Sequence, residues 1–197
     1  MSLTFDTLTG AQIDAALDRL AQLRIVVFRD WPYLYDGDLD YERRYLASYR
    51  DNPRAVLVAA RQGGQIVGAA TGVPMEDHAE DFAWALQQAG VDVTKTFYCA
   101  ESVLLATARG QGAGHAFFDL REAQARRLGR RWSAFCAVVR PDDHPARPAG
   151  YRPLDPFWRK RGYAPVAGAF AHFAWRDTGE PAETVKPLQL WLKDLSA

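Results

Sequence analysis

Arg109-Gly110-Gln111-Gly112-Ala113-Gly114 stands between an apolar run ending at Leu105 and an amphipathic run beginning at Ala113. Glycine adopts backbone angles that a side chain forbids, so the spacing predicts a tight strand-to-helix turn with several N–H groups exposed at a helix start. The helix macrodipole adds partial positive charge there, and the combination suits a pyrophosphate. A nucleotide P-loop needs Lys and then Ser or Thr after its last glycine, whereas the chain reads Gly114-His115-Ala116. The dinucleotide fingerprint needs a wider glycine spacing and an acidic residue closing the next strand, which here ends in Arg140-Pro141. Both nucleotide readings are disfavoured.

Other chemistries find less support. The four His residues are scattered, with no His-Glu-x-x-His and no Cys/His cluster of ligand spacing, so no metal is expected. Cys99 and Cys136 fall inside expected strands and read as buried thiols rather than a disulfide. A Gly-x-Ser-x-Gly elbow is absent. The 24 basic and 24 acidic residues cancel, which removes the broad positive field that nucleic-acid or anionic-membrane binding would need. With no long apolar run and no signal-like start, the expectation is a cytoplasmic protein, residues 1–197 forming one domain.

The surrounding pattern supplies the elements that must hold the turn. Leu3 to Leu8 alternates as a strand; Thr9 and Gln12 match a capping box opening a helix striped by Ile13, Leu17 and Leu20. A second helix runs from Leu39 to Tyr49. Ala55–Ala60 and Ile66–Val73 form a hairpin about Gly63-Gly64, and Glu76–Ala89 reads as a helix. Thr96 to Leu105 reads as one long strand leading into the turn. The helix after it buries Ala113, Phe117, Leu120 and Leu128, with Asp119, Glu122 and Arg126 opposite. Ser133–Val139 follows as an apolar strand parallel to the first. A Pro-rich loop, a short helix Asp155–Arg161, and strands Val166–Trp175 and Val185–Leu192 complete the chain.

Arg109, Gly112 and Gly114 occupy the defining positions of a motif: Arg or Gln, two residues, Gly, one residue, Gly or Ala, set between a strand and a helix. This resembles the pyrophosphate loop of the GNAT superfamily of acyl-CoA-dependent N-acyltransferases. Phe157-Trp158-Arg159-Lys160-Arg161-Gly162-Tyr163 is similar to that family's short fourth helix, and the element order matches nearly end to end. The resemblance implies an α/β (α+β) GNAT fold, with a mixed sheet of about seven strands and two parallel strands splayed about the glycine turn.

It further implies acetyl-CoA as acyl donor and a small-molecule or peptide amine as acceptor; with the charge balance and the scattered His, no metal, nucleic-acid or membrane partner is expected, and the oligomeric state, a homodimer among the options, is left open. By position, Val103, Leu104 and Leu105 would contact the pantetheine arm through their backbone, and Arg109, Gly110, Gln111, Gly112, Ala113, Gly114 and His115 would hold the pyrophosphate. A lysine-like amine is uncharged in only about one molecule in 2,500 at pH 7, so a base or water relay is needed. Glu101, a carboxylate inside an apolar strand, is the candidate; its alternative is an edge position or a structural ion pair with an arginine. Trp158, beside the cofactor, stands where the family usually carries an acidic tyrosine, so Tyr151 is the substitute acid, with Tyr98 behind it. Tyr33 and Tyr35, in the loop between the first helices, and His144 and Arg147, in the Pro-rich loop, are the candidates for acceptor binding.

Overall fold

Gly63 and Gly64, at φ 56° and 82°, reverse the chain between strands β2 (Val56–Gln62) and β3 (Gln65–Pro74), as the Gly-Gly centre predicts. The computed structural model describes residues 2–78 and 80–196. Strand β1 (Thr4–Leu8) pairs with β2, and helices α1 (Ala11–Phe28) and α2 (Leu39–Asp51) lie between them in sequence. After β3 come α3 (Glu80–Gln88), β4 (Thr96–Tyr98), β5 (Ser102–Leu104), α4 (Ala113–Arg127), β6 (Trp132–Val138), α5 (Asp155–Lys160), β7 (Ala164–Trp175) and β8 (Thr184–Asp194). The eight strands form one mixed sheet in the order β1-β2-β3-β4-β6-β8-β7, with β5 also on β3; only β4 and β6 run parallel.

Side-chain alternation along β2 assigns the two faces. Leu57 and Ala59 pack under α1 and α2, while Val58 and Ala60 pack under α4 with Phe117 and Phe118. A third cluster joins Phe82 and Leu86 of α3 to Tyr98, Cys136 and Trp175, and Tyr33 and Tyr35 bridge it to the α1–α2 side.

Four expectations are corrected. The run from Thr96 to Leu105 is two strands, because Ala100 and Glu101 together oppose Thr71: Thr71 N–H donates to the Glu101 carbonyl (3.1 Å) and the Thr71 carbonyl accepts from Ala100 N–H (3.1 Å). This bulge bends the chain. Before it, β4 pairs with β6, the last bond being Cys99 N–H to the Ala134 carbonyl (2.7 Å); beyond it, β5 pairs only with β3, and residues 135–138 of β6 pair only with β8. Second, α3 begins at Glu80 because His78 is extended (φ −101°, ψ 175°), its ring lying on Tyr98. Third, only half of the capping box forms: Thr9 N–H donates to Gln12 Oε1 (3.2 Å), and Gly10 caps α1. Fourth, Glu122 is buried, because Arg161 (3.1 Å) and Lys193 (2.8 Å) both pair with it.

Candidate active site

Beyond β5 the chain makes a single turn over Ala106–Ala108 and enters the glycine segment. Gly110 and Gly112 have φ of 77° and 80°, and Gly112 caps α4 in the left-handed region without a side-chain bond. The first bond into α4 runs from His115 N–H to the Gly112 carbonyl (3.0 Å). The backbone N–H groups of Gly110, Gln111, Gly112, Ala113 and Gly114 have no acceptor among the described residues. Five N–H groups without an acceptor among the described residues thus fall in the five residues that lead into α4, a donor set of the kind a pyrophosphate takes. Ala113 is buried, so it offers only its backbone. Arg109 lies exposed across the turn, its Nε 3.4 Å from the Leu104 carbonyl. His115 meets Arg161 through Nδ1 (3.2 Å) and rests edge-on against Phe157. A groove of about 290 Å³, lined by Val26, Val27, Asp30, Leu105, Ala106, Thr107 and Arg109, runs beside the turn.

The backbone of β5 has a definite polarity toward the splay. In a trans peptide the N–H points opposite the carbonyl. The Glu101 carbonyl is turned to β3, so the Ser102 N–H points away from β3. The Val103 carbonyl also faces β3, against Gly68, so the Leu104 N–H points into the splay. Leu105 spends its N–H on Val67 (2.9 Å) and its carbonyl on Ala108 N–H (2.9 Å). Of the three residues expected to contact a pantetheine arm, Leu104 has its polar backbone atoms aimed at the gap; its partner there is Ser102 rather than Val103 or Leu105.

Glu101, 9% exposed, sends its side chain to the α1–α2 face. Arg24 Nη1 lies 2.6 Å from Glu101 Oε1, without full hydrogen-bond alignment, and Tyr45 OH donates to Oε2 (2.7 Å). Arg24 also pairs with the buried Glu42 and lies over the Tyr45 ring at 4.3 Å. Burial alone would lower the Arg24 pKa, but Glu101, Tyr45 and Glu42 outweigh it and raise the value. Burial, with Glu101 adding to it, pushes the Tyr45 and Tyr49 phenols well up, so both stay protonated donors; their hydroxyls are 2.8 Å apart. Tyr33 is raised by burial, then by Cys136 and Glu101. Half-buried His78 lies on Tyr98 (4.5 Å between rings), and burial lowers its pKa to about 4 against a smaller upward pull from Glu101. Burial raises both thiols, that of Cys136 to about 12.

The two loops expected to recognise an acceptor do meet. Trp31 packs against His144 (5.1 Å) and Tyr151 (5.9 Å). Arg140 ties the loops down, donating to the Pro32 (2.8 Å) and Tyr33 (2.7 Å) carbonyls and pairing with Asp177 (2.6 Å). Tyr35 bridges to Asp177 through its backbone, and burial followed by Glu42 raises its phenol. Arg147 is taken up by Asp142 of its own loop, and His144 Nδ1 accepts from Ala146 N–H (3.1 Å). The larger cleft beside His144, about 480 Å³, touches neither Glu101 nor the glycine turn, and its cations Arg140 and Lys186 both pair with Asp177. Trp158 packs on Phe135 (4.9 Å) and Trp191 (5.1 Å). Sequence reasoning missed Arg24, Tyr45 and Arg121. The signal for the arginines was present, since Arg24 continues the stripe Ile13, Leu17, Leu20 and Arg121 follows Ala113 and Phe117 at helical spacing.

Solved structures with the same fold include the ribosomal-protein-alanine N-acetyltransferase of Brucella melitensis (TM-score 0.63, 14% identity, 97% of this chain and 99% of that one). An aminoglycoside 6'-N-acetyltransferase complexed with coenzyme A aligns at TM-score 0.61 and 15% identity, over 99% and 97% of the two chains. A GCN5-related N-acetyltransferase from Kribbella flavida aligns at 0.60 and 16%, over 98% of each. No curated protein matches the chain in sequence. The sequence profile of the acetyltransferase (GNAT) family matches residues 20–163, which hold the glycine turn, the bulge and the short helix α5, and the chain therefore belongs to that family.

Proposed function

We propose that the chain transfers an acetyl group from acetyl-CoA to a primary amine of a small molecule or peptide, by direct attack in a ternary complex. The observation that carries the reading is the continuity of donors: five N–H groups at the α4 start, without an acceptor among the described residues, adjoin a splay into which Ser102 and Leu104 turn their polar backbone atoms. Such a surface suits a pyrophosphate followed by an amide-bearing arm. The coenzyme A bound to the aminoglycoside acetyltransferase of the same fold is consistent with it.

Acetyl-CoA supplies a thioester activated toward amines. In this reading the Ser102 N–H donates to the thioester carbonyl oxygen as negative charge builds on it. Glu101 takes the amine's proton through one water: each of its oxygens already has a partner but retains a second lone pair. The C–N bond forms as the C–S bond breaks, and Tyr151, whose phenol burial and Asp155 hold above its ordinary range, returns a proton to the departing sulfur. An acyl-enzyme is disfavoured because burial keeps both cysteines as thiols.

A second reading, a non-catalytic acyl-CoA sensor, is favoured by the packing of Trp158 where an acid would stand and by the pairing of Glu101 with Arg24. A panel of amines incubated with acetyl-CoA, followed by release of free thiol, separates the two. Amine-dependent thiol release supports the transferase; binding of acetyl-CoA with no release across the panel supports the sensor.

A further inference from the structure

Arg121 is a buried guanidinium, 1% exposed, and no carboxylate lies within ion-pair distance among the described residues. Its Nε donates to the Phe117 carbonyl (3.1 Å), and its Cζ lies 4.8 Å from the centre of the Phe118 ring. Nη1 donates to the carbonyls of Thr71 (3.3 Å) and Glu101 (3.0 Å), the two residues that make the bulge. Burying an unpaired cation is costly, and hydrogen bonds to neutral carbonyls offset that only in part.

The Glu101 carbonyl therefore accepts twice, from Thr71 N–H and from Arg121. The same peptide unit carries the Ser102 N–H, which points the opposite way, into the splay. Drawing electron density toward the carbonyl makes the N–H of that unit a stronger donor. A full positive charge thus sits behind the peptide whose other end faces the reacting centre, where it also favours negative charge developing across the sheet.

We propose that Arg121 is a positioning residue that acts through the Glu101–Ser102 peptide, orienting the Ser102 N–H and strengthening it as the donor to the acyl-thioester carbonyl. The inference rests on the acetyl-CoA reading above, and its test needs no acceptor. Acetyl-CoA labelled with carbon-13 at the thioester carbonyl is added to the native chain, and binding is first established by calorimetry. Absence of binding sinks the acetyl-CoA reading and this inference together. With binding established, the carbonyl stretch is read by isotope-edited infrared difference spectroscopy. The bound band is expected at lower wavenumber than that of free acetyl-CoA, and Arg121→Met should recover at least half of the displacement while still binding acetyl-CoA. A native band at the free position, or the same displacement in Arg121→Met, overturns the inference and leaves acetyl-CoA binding intact. If Arg121→Met does not fold, Arg121→Lys decides: a single ammonium cannot hold the Phe117 carbonyl, which Nε takes, and also reach the Thr71 and Glu101 carbonyls, which Nη1 takes, so the displacement should shrink, and an unchanged displacement overturns the role of Arg121.

Discussion

Gly114 and Phe157 are in contact: a Cβ at Gly114 would lie 3.1 Å from Phe157 Cζ, so a side chain at the start of α4 would force the Phe157 ring of the short helix α5 to give way by a few tenths of an ångström. The two motifs most specific to the family are therefore one packed unit. Gly112 is constrained differently, by its φ of 80°, with nothing within 4 Å of an added Cβ.

These two causes predict separable effects. Gly114→Ala should cost about 1–2 kcal/mol through overpacking, and adding Phe157→Leu should restore part of it, so that the double variant is less destabilised than the sum. Gly112→Ala should cost about 1 kcal/mol through backbone strain, with no rescue from Phe157→Leu. Thermal denaturation of the set reads both; additive behaviour of the Gly114 and Phe157 changes would remove the packing explanation.

The glycine turn and the hairpin were legible because glycine is strongly favoured where φ is positive, so the residue type reports the backbone directly. The splay was implied by the family resemblance, but its cause was not legible: it arises from a two-for-one mismatch opposite Thr71, and nothing in Cys99-Ala100-Glu101 marks a bulge inside an otherwise continuous strand pattern. The ion-pair alternative for Glu101 was visible, but its partner, Arg24, lies far off in sequence and is brought in only by packing α1 over β5. Trp158 was legible as a departure from the usual tyrosine, while its place between Phe135 and Trp191 needed the strands to be assembled.

Glu101 and Arg24 should separate catalysis from stability. Glu101→Gln keeps shape and removes the carboxylate proposed as base, so kcat at neutral pH should fall by roughly 10² to 10⁴ with acetyl-CoA affinity nearly unchanged. The deficit should shrink as pH rises toward the amine's own pKa. Arg24→Met leaves Glu42 and Glu101 buried without their cation and should destabilise the chain by about 3–5 kcal/mol. Normal turnover by Glu101→Gln at pH 7 would make Glu101 structural.

On the leaving-group side, Trp158→Phe should retain substantial turnover, since it loses contact with Phe135 and Trp191 rather than proton transfer. Tyr151→Phe should lower kcat more. Comparison of the two on a confirmed acceptor is the check, and a larger loss at Trp158 would reverse the assignment.

His78 predicts an acid-sensitive contribution to folding. Its pKa is about 4 in the folded chain against an ordinary 6.5, so the unfolded chain binds the proton first as pH falls. The contribution is complete above pH 6.5 and is lost progressively toward pH 4. At most it reaches roughly 3 kcal/mol, less what water at the half-buried ring screens. His78→Gln should flatten the stability profile across that window in denaturant titrations; parallel profiles for the two proteins would show that His78 titrates normally.

If the α4 start holds the pyrophosphate of acetyl-CoA, thermal denaturation with and without acetyl-CoA registers it as added stability. A ligand bound only by the native state, at 100 times its Kd, adds about 2.7 kcal/mol of stability. For a chain of this size that is a rise in Tm of roughly 5–10 °C. The native chain should show that rise, and Gly112→Glu, which puts a carboxylate among the five N–H groups, should not. No rise in the native chain, or an equal rise in Gly112→Glu, would rule out the α4 start as the pyrophosphate site.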